Sequence, residues 1–98
     1  MASTPEKKVK DAVTKILKSY DAYYFYPATG GFGRSGVPDI VVCFNGHFIG
    51  IECKAGDNTT TALQDRELEK IDKAGGIAMV VNETNIERVR EVLDAHRN

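Results

Sequence analysis

Gly36-Val37-Pro38-Asp39-Ile40-Val41-Val42-Cys43-Phe44-Asn45-Gly46-His47-Phe48-Ile49-Gly50-Ile51-Glu52-Cys53-Lys54 holds two apolar runs of strand length joined by Asn45-Gly46. Asn-Gly between such runs is the strongest short-range signal for a two-residue hairpin turn of type I′, because both central residues must take positive φ. The turn dictates a register. Phe44 falls opposite His47, Ile40 opposite Ile51, and Asp39 opposite Glu52. Opposed residues of an antiparallel pair share a face, with Cβ atoms about 4.5–5.5 Å apart. Alternation along the strand adds Lys54 to that face. Two carboxylates and an ammonium therefore converge at the open end of the hairpin. The same face carries Val41, Cys43, Phe48 and Gly50, and the other carries Ile40, Val42, Phe44, Ile49 and Ile51. Both are apolar along most of their length, so the hairpin is expected to be covered on both sides, with Gly50 leaving room beside the acids.

Like charges directly opposite each other destabilise a sheet, so Asp39 facing Glu52 calls for a counter-charge. A divalent cation fits best. Hard oxygen ligands suit Mg²⁺ or Mn²⁺, and Mg²⁺ is commonly held by one or two carboxylates together with water. The alternative, a surface ion pair at a strand end, explains the single lysine but not two acids facing one another.

Pro38-Asp39, a gap from Ile40 to Ile51, then Glu52-Cys53-Lys54 resembles the signature of PD-(D/E)XK nucleases. Within that superfamily the chain is most similar to stand-alone virus-type VRR-NUC domains, with Holliday-junction resolvases next. The likeness runs from Glu6 to the helix opened by Gln64. It implies a restriction-endonuclease-like core and a metal held by Asp39, Glu52 and the backbone carbonyl of Cys53. Lys54 would orient the attacking water or stabilise developing negative charge. It further implies a structure-selective endodeoxyribonuclease that hydrolyses phosphodiester bonds in branched DNA such as four-way junctions. Stand-alone members act as homodimers, which would pair two sites with two opposed strands.

Composition permits this without suggesting it. Ninety-eight residues bound one domain, 1–98, with one modest core. A net charge of −1 argues against a basic coat for gripping nucleic acid. The distribution is less even: residues 1–34 hold six basic and three acidic side chains, against seven and eleven in 35–98. A positive first helix could meet phosphates, with affinity that falls steeply with salt. No apolar run approaches the ~18 residues of a membrane span, and the first residues lead into a charged helix instead of a signal peptide. The expectation is a cytosolic protein without membrane contact, acting in the host cell if virus-encoded. Cys43 and Cys53 point to opposite faces, which disfavours a disulfide. With His47 and His96 they lack zinc spacing, so both read as packing residues.

Outward from the hairpin, Thr4-Pro5 opens a helix to about Ser19, with Val9, Val13, Ile16 and Tyr20 as its inward stripe and Ala12 and Leu17 at its flanks. Glu6 extends that stripe. It is either a third carboxylate at the metal, like the first-helix acid of many PD-(D/E)XK enzymes, or a first-turn acid in a Ser3-x-x-Glu6 capping box. The helix lysines read first as a solvated face. Ala22–Pro27 reads as a strand whose tyrosines and Phe25 belong to the core, although an edge tyrosine could touch substrate. Gly31-x-Gly33-x-x-Gly36 matches a dinucleotide fingerprint in form only, because a strand follows where a helix is required, so no nucleotide cofactor is expected. Arg34, with Ser35 and Gly36, is a phosphate-binding candidate or a plain solvated loop.

Thr61-Ala62-Leu63-Gln64 is a capping-box pattern opening a helix to about Ala74. Gln64 lies on its inward face with Leu68 and Ile71. Gln64 is the box partner of Thr61 and, compatibly with that, resembles the glutamine that positions substrate or water in VRR-NUC and resolvase-like proteins; the two roles can alternate between free and bound states. Gly75-Gly76 ends that helix, Ile77–Val81 reads as a fully buried strand, and a last helix carries Ile86, Val89 and Leu93 inward to about Ala95. The order is α-β-β-β-α-β-α, an α/β fold with a mixed four-stranded sheet between helices, its last strand parallel through a right-handed crossover. Two other classes of function compete with the nuclease. One is a catalytically silent module that binds branched or damaged DNA for a partner. The other is a hydrolase of small phosphates, which the open sheet edge and missing lid disfavour.

Overall fold

The computed structural model describes residues 4–28 and 33–97; Ser3 of the expected capping box and Gly31 of the rejected fingerprint lie outside them. Helix α1 (Pro5–Ser19) begins where Thr4 is extended and its side chain accepts the Lys7 N–H, and Pro5 has no donor to leave unpaired. It is followed by β1 (Tyr23–Phe25), β2 (Ile40–Phe44), β3 (His47–Cys53), α2 (Ala62–Lys73), β4 (Ile77–Val81) and α3 (Glu87–Ala95). The sheet runs β1-β2-β3-β4, antiparallel at its first two junctions and parallel at the third. This is the mixed four-stranded α/β arrangement read from the sequence.

The hairpin pairs as its turn requires, from Phe44 with His47 to Ile40 with Ile51. Asn45 and Gly46 have φ of 50° and 82°, positive at both turn positions. The ladder stops there. Asp39 lies in a bend just before β2, so it is not strand-paired with Glu52. Its Oδ2 instead accepts the Cys53 N–H at 2.9 Å, tying the loop that carries it to the end of β3.

One face of the sheet holds the core. Ile40, Val42, Ile49, Ile51 and Cys53 pack with Val9, Val13, Ile16 and Leu17 of α1 and Val89 and Leu93 of α3. Each such side chain contributes about 1.5–3 kcal/mol on burial, so the core sets the overall stability. Leu17, expected only at the flank, is fully buried because α3 closes over that side of α1.

The opposite face is covered by α2 alone, and only in part. The helix has no fully buried residue and packs on β3 and β4. Tyr23, Cys43 and Phe48 pair successively across β1, β2 and β3 and stay exposed, Tyr23 at 69% and Phe48 at 46%. The expectation of cover on both sides is therefore corrected, and so is the placing of the aromatic run in the core. Only Tyr24, opposite Val42, faces that core; Tyr23 and Phe25 project to the bare face beyond the reach of α2. Cys43 is exposed for the same reason, whereas Cys53 is buried as read. Nor is β4 fully buried: it is an edge strand and Val80 is exposed.

Gly50 leaves no room beside the acids either. A Cβ there would lie 2.6 Å from Ile71 Cδ1 and 2.9 Å from Pro38 Cγ, so α2 and the loop before β2 already fill the space. Gly50→Val is expected to destabilise the protein by about 1–3 kcal/mol, the usual cost of overpacking, read as a lowered urea midpoint with unchanged slope. An unchanged midpoint would mean that the contact with Ile71 is loose.

Candidate metal centre

Three elements deliver carboxylates to one place. Glu6 comes from the first turn of α1, Asp39 from the bend before β2, and Glu52 from near the end of β3. One oxygen from each lies within 4.8 Å of the others. Glu6 reaches the group because Val9, Val13 and Ile16 seat that face of α1 on the core, and Glu6 is the next step along the stripe.

Glu52 is the buried member, with 2% of its surface exposed. Its Oε2 accepts from Gln64 Nε2 at 2.7 Å and lies 3.6 Å from Lys54 Nζ. Its Oε1 is buried and has no hydrogen-bond partner. Burial, and then the charge of Asp39, push the carboxyl up from the usual 4.5 to about 7, against the opposing pull of Lys54. An unpartnered buried carboxylate oxygen costs on the order of 1–3 kcal/mol or more, so this arrangement is under electrostatic strain. A divalent cation among the three acids would offset two of their three negative charges and so relieve the repulsion. The donor set, all carboxylate oxygen, suits a hard ion such as Mg²⁺ or Mn²⁺. The Cys53 thiol does not compete: burial, followed by the charges of Asp39 and Glu52, pushes it up to about 12.

Gln64 forms the capping box and bonds to Glu52 at the same time. Its Oε1 accepts the Thr61 N–H at 2.9 Å while its backbone N–H donates to Thr61 Oγ1, completing the capping box. The same side chain's Nε2 then donates to Glu52. The two are compatible, as read, because an amide has a separate acceptor and donor.

Gly36 secures the other side of this arrangement. Its φ is +80°, and a Cβ would lie 2.6 Å from the Leu63 carbonyl oxygen, so the loop leading to Asp39 packs directly on the first turn of α2. Gly36→Ala is expected to cost about 2 kcal/mol from the left-handed conformation alone, with further loss from a backbone contact that cannot yield. Thermal melting of the variant measures it; an unchanged midpoint would show that the loop does not rest on α2.

Arg34 and Ser35 do not join the acids. Arg34 pairs with Glu67 Oε2 of α2 at 2.8 Å and lines an apolar groove with Phe25, Pro38, Phe48 and Ile71. Ser35 is exposed. A different hollow, of about 640 Å³, opens beside the acids and is lined by Thr4, Glu6, Lys7, Lys10, Asp11, Tyr26 and Asp39. Of these, Lys10 is marked in the sequence by its spacing of four from Glu6 on one helix, and Tyr26 only as one of several edge tyrosines able to touch substrate.

No family model matches the chain, and no curated protein matches it. Solved structures do. One described as a VRR_NUC domain superposes with a TM-score of 0.73 at 22% identity, covering 94% of this chain and 97% of that one. Another, a VRR_NUC domain protein, gives a TM-score of 0.69 at 20% identity, covering 98% and 88%. The chain thus has the fold of VRR_NUC domains, the restriction-endonuclease-like arrangement that its hairpin motif implied.

Proposed function

We propose that this protein is a metal-dependent endodeoxyribonuclease, with Asp39, Glu52, Glu6 and the Cys53 backbone carbonyl holding Mg²⁺ or Mn²⁺. The observation that carries the reading is the convergence of three carboxylates around a buried, unpartnered Glu52 oxygen beside Lys54, in a chain with the VRR_NUC fold. The bound cation would supply Lewis-acid polarisation of a phosphoryl oxygen and a water of lowered pKa. The chain's own residues do the rest. Asp39 is held in place by the Cys53 N–H and keeps a second oxygen free of that bond. Gln64 fixes the rotamer of Glu52 through its hydrogen bond, and the capping box fixes Gln64. Lys54, largely buried beside Glu52, offers an ammonium to the negative charge that builds on the phosphate.

Branched DNA as the preferred substrate, and a homodimer as the working form, are proposed on the resemblance to stand-alone VRR-NUC domains. The exposed apolar row Tyr23, Cys43 and Phe48 supports pairing, since monomers seldom leave such a patch without a use. Among the described residues no helix is long and apolar enough to cross a membrane, and action in the cytosol of a host cell belongs to the same proposal. Arg34, Ser35 and Gly36 are retained as weaker candidates for phosphate contact, with Arg34 first having to leave Glu67.

A labelled four-way junction, a fork and a plain duplex, each incubated with Mg²⁺ or Mn²⁺, test the activity. Wild type should cut the junction or fork in preference to the duplex. Binding to junctions without cutting under either metal would favour a silent module that serves a partner. Mn²⁺ titration by calorimetry should show a site that Asp39→Ala abolishes. A sedimentation mass of one chain at working concentration would count against the paired form.

A further inference from the structure

The hollow beside the acids is more than an approach to the metal. Along α1, Glu6, Lys10 and Thr14 follow at intervals of four residues, so they stack on one face. Tyr26, just past β1, lies along this row. Its hydroxyl is 2.7 Å from Oγ1 of the buried Thr14, and its ring lies under Lys10 with the ammonium 5.3 Å from the ring centre. Tyr24 supports it edge-on, with ring centres 6.1 Å apart. The ring is therefore held at its tip, on one face and by a neighbouring ring, yet 47% of the residue is exposed and it lines the hollow that Glu6 and Asp39 share. Lys10 has no carboxylate partner among the described residues, whereas Lys7 is paired with Asp11.

We propose that Tyr26 and Lys10 form a nucleotide subsite next to the acids, Tyr26 stacking on an unpaired base and Lys10 meeting the adjoining phosphate. This rests on the nuclease reading and narrows its substrate to DNA that is unpaired beside the bond to be cut. The physical reason is access. A base in a duplex has both faces covered by its neighbours, so only an unpaired nucleotide can offer one to an aromatic ring. A ring fixed in advance by Thr14 and Lys10 loses little freedom on stacking. A cation beside an aromatic ring matches a nucleotide, which carries a flat base and an anionic phosphate together. Nothing in this arrangement reads base identity, so the subsite would be tolerant of sequence.

The test uses fluorescence anisotropy with forked, single-stranded and duplex oligonucleotides, the protein in EDTA so that binding is read without cutting. Abasic positions are scanned along the unpaired arm of the fork. Wild type should lose roughly ten-fold in affinity at one abasic position near the branch. Tyr26→Ala should show the same ten-fold loss on the intact fork and no further loss with that abasic site, and its duplex affinity should stay within about two-fold. Tyr26→Phe, which keeps the ring but loses the bond to Thr14, should bind the fork more tightly than Tyr26→Ala and keep its sensitivity to the abasic site, and a thermal melt of each variant guards against a folding defect. Lys10→Gln should lower the slope of log affinity against log salt by about one. No sensitive abasic position, or equal losses on fork and duplex in Tyr26→Ala, would overturn the subsite. Because binding is measured apart from cleavage, a protein that stacks on Tyr26 yet never cuts would sink the nuclease reading and leave the subsite standing.

Discussion

Glu52→Gln is expected to melt higher than wild type in EDTA at pH 8 and to cut no DNA. The carboxyl of Glu52 sits at about 7 when folded, against 4.5 for an ordinary glutamate. Between those values the folded state holds a proton that the unfolded state has released, so stability falls as pH rises through that window. Above about 7 the full penalty is present, about 3 kcal/mol. Glutamine keeps the acceptor for Gln64 Nε2 and removes the charge from the buried, unpartnered position. It should therefore remove most of the penalty, a rise on the order of 10 °C for a domain of this size. Wild type should also lose stability from pH 5 to pH 8 by an amount that the variant does not. Adding Mn²⁺ closes the gap: a cation at a hundred times its dissociation constant adds about 2.7 kcal/mol to wild type and nothing to a variant that cannot hold it. Melting curves at two pH values, with and without metal, measure all three differences. If Glu52→Gln melted lower in EDTA at pH 8, the buried carboxylate would be a structural asset and the metal centre would lose its main support.

Removing Asp39 separates charge from scaffold. Its carboxylate is a proposed metal ligand and also the acceptor for the Cys53 N–H. Asp39→Asn keeps an acceptor oxygen in place; Asp39→Ala leaves a sheltered N–H unpaired at a cost of about 1–3 kcal/mol. The alanine variant should therefore be the less stable of the two, while both should lose cleavage by on the order of 10³-fold or more, because each removes an anionic ligand from a centre that stabilises charge. Single-turnover cleavage on the preferred branched substrate reads the activity, and urea titration reads the stability. Either substitution should also bring the Glu52 carboxyl down towards its ordinary value, since the charge of Asp39 is the second cause of its elevation. An asparagine variant that cut at near the wild-type rate would remove Asp39 from the reaction.

Several elements were legible because their causes are local. A two-residue Asn-Gly turn determines which residues of its strands face each other, and the observed pairs from Phe44–His47 to Ile40–Ile51 follow from it. Thr4-Pro5 and Thr61-x-x-Gln64 marked helix starts through the groups that pair with free N–H donors, and both caps form. Glu6 could be placed on the inward stripe of its helix, but its meeting with Asp39 and Glu52 depends on how α1 lies across the sheet. The covered area of the second face was misread because apolar strand residues show that cover is acceptable, not that a helix of twelve residues reaches far enough to provide it. Tyr23 and Phe25 are exposed for that reason, and Tyr26 reaches the hollow only because Thr14 happens to face it across the chain.

What the chain's order of residues determined alone was therefore everything governed by neighbours a few positions apart: turn, register, caps, helix stripes and the shared face of Glu52 and Lys54. Only the folded arrangement decided that Glu6 completes the acid group, that one Glu52 oxygen is left without a partner, that Gln64 serves cap and site together, and that Tyr26 stands beside them. Those outcomes depend on the relative placement of whole helices against the sheet, which is set by the sum of many weak, non-directional apolar contacts between distant segments, and no local pattern encodes that sum.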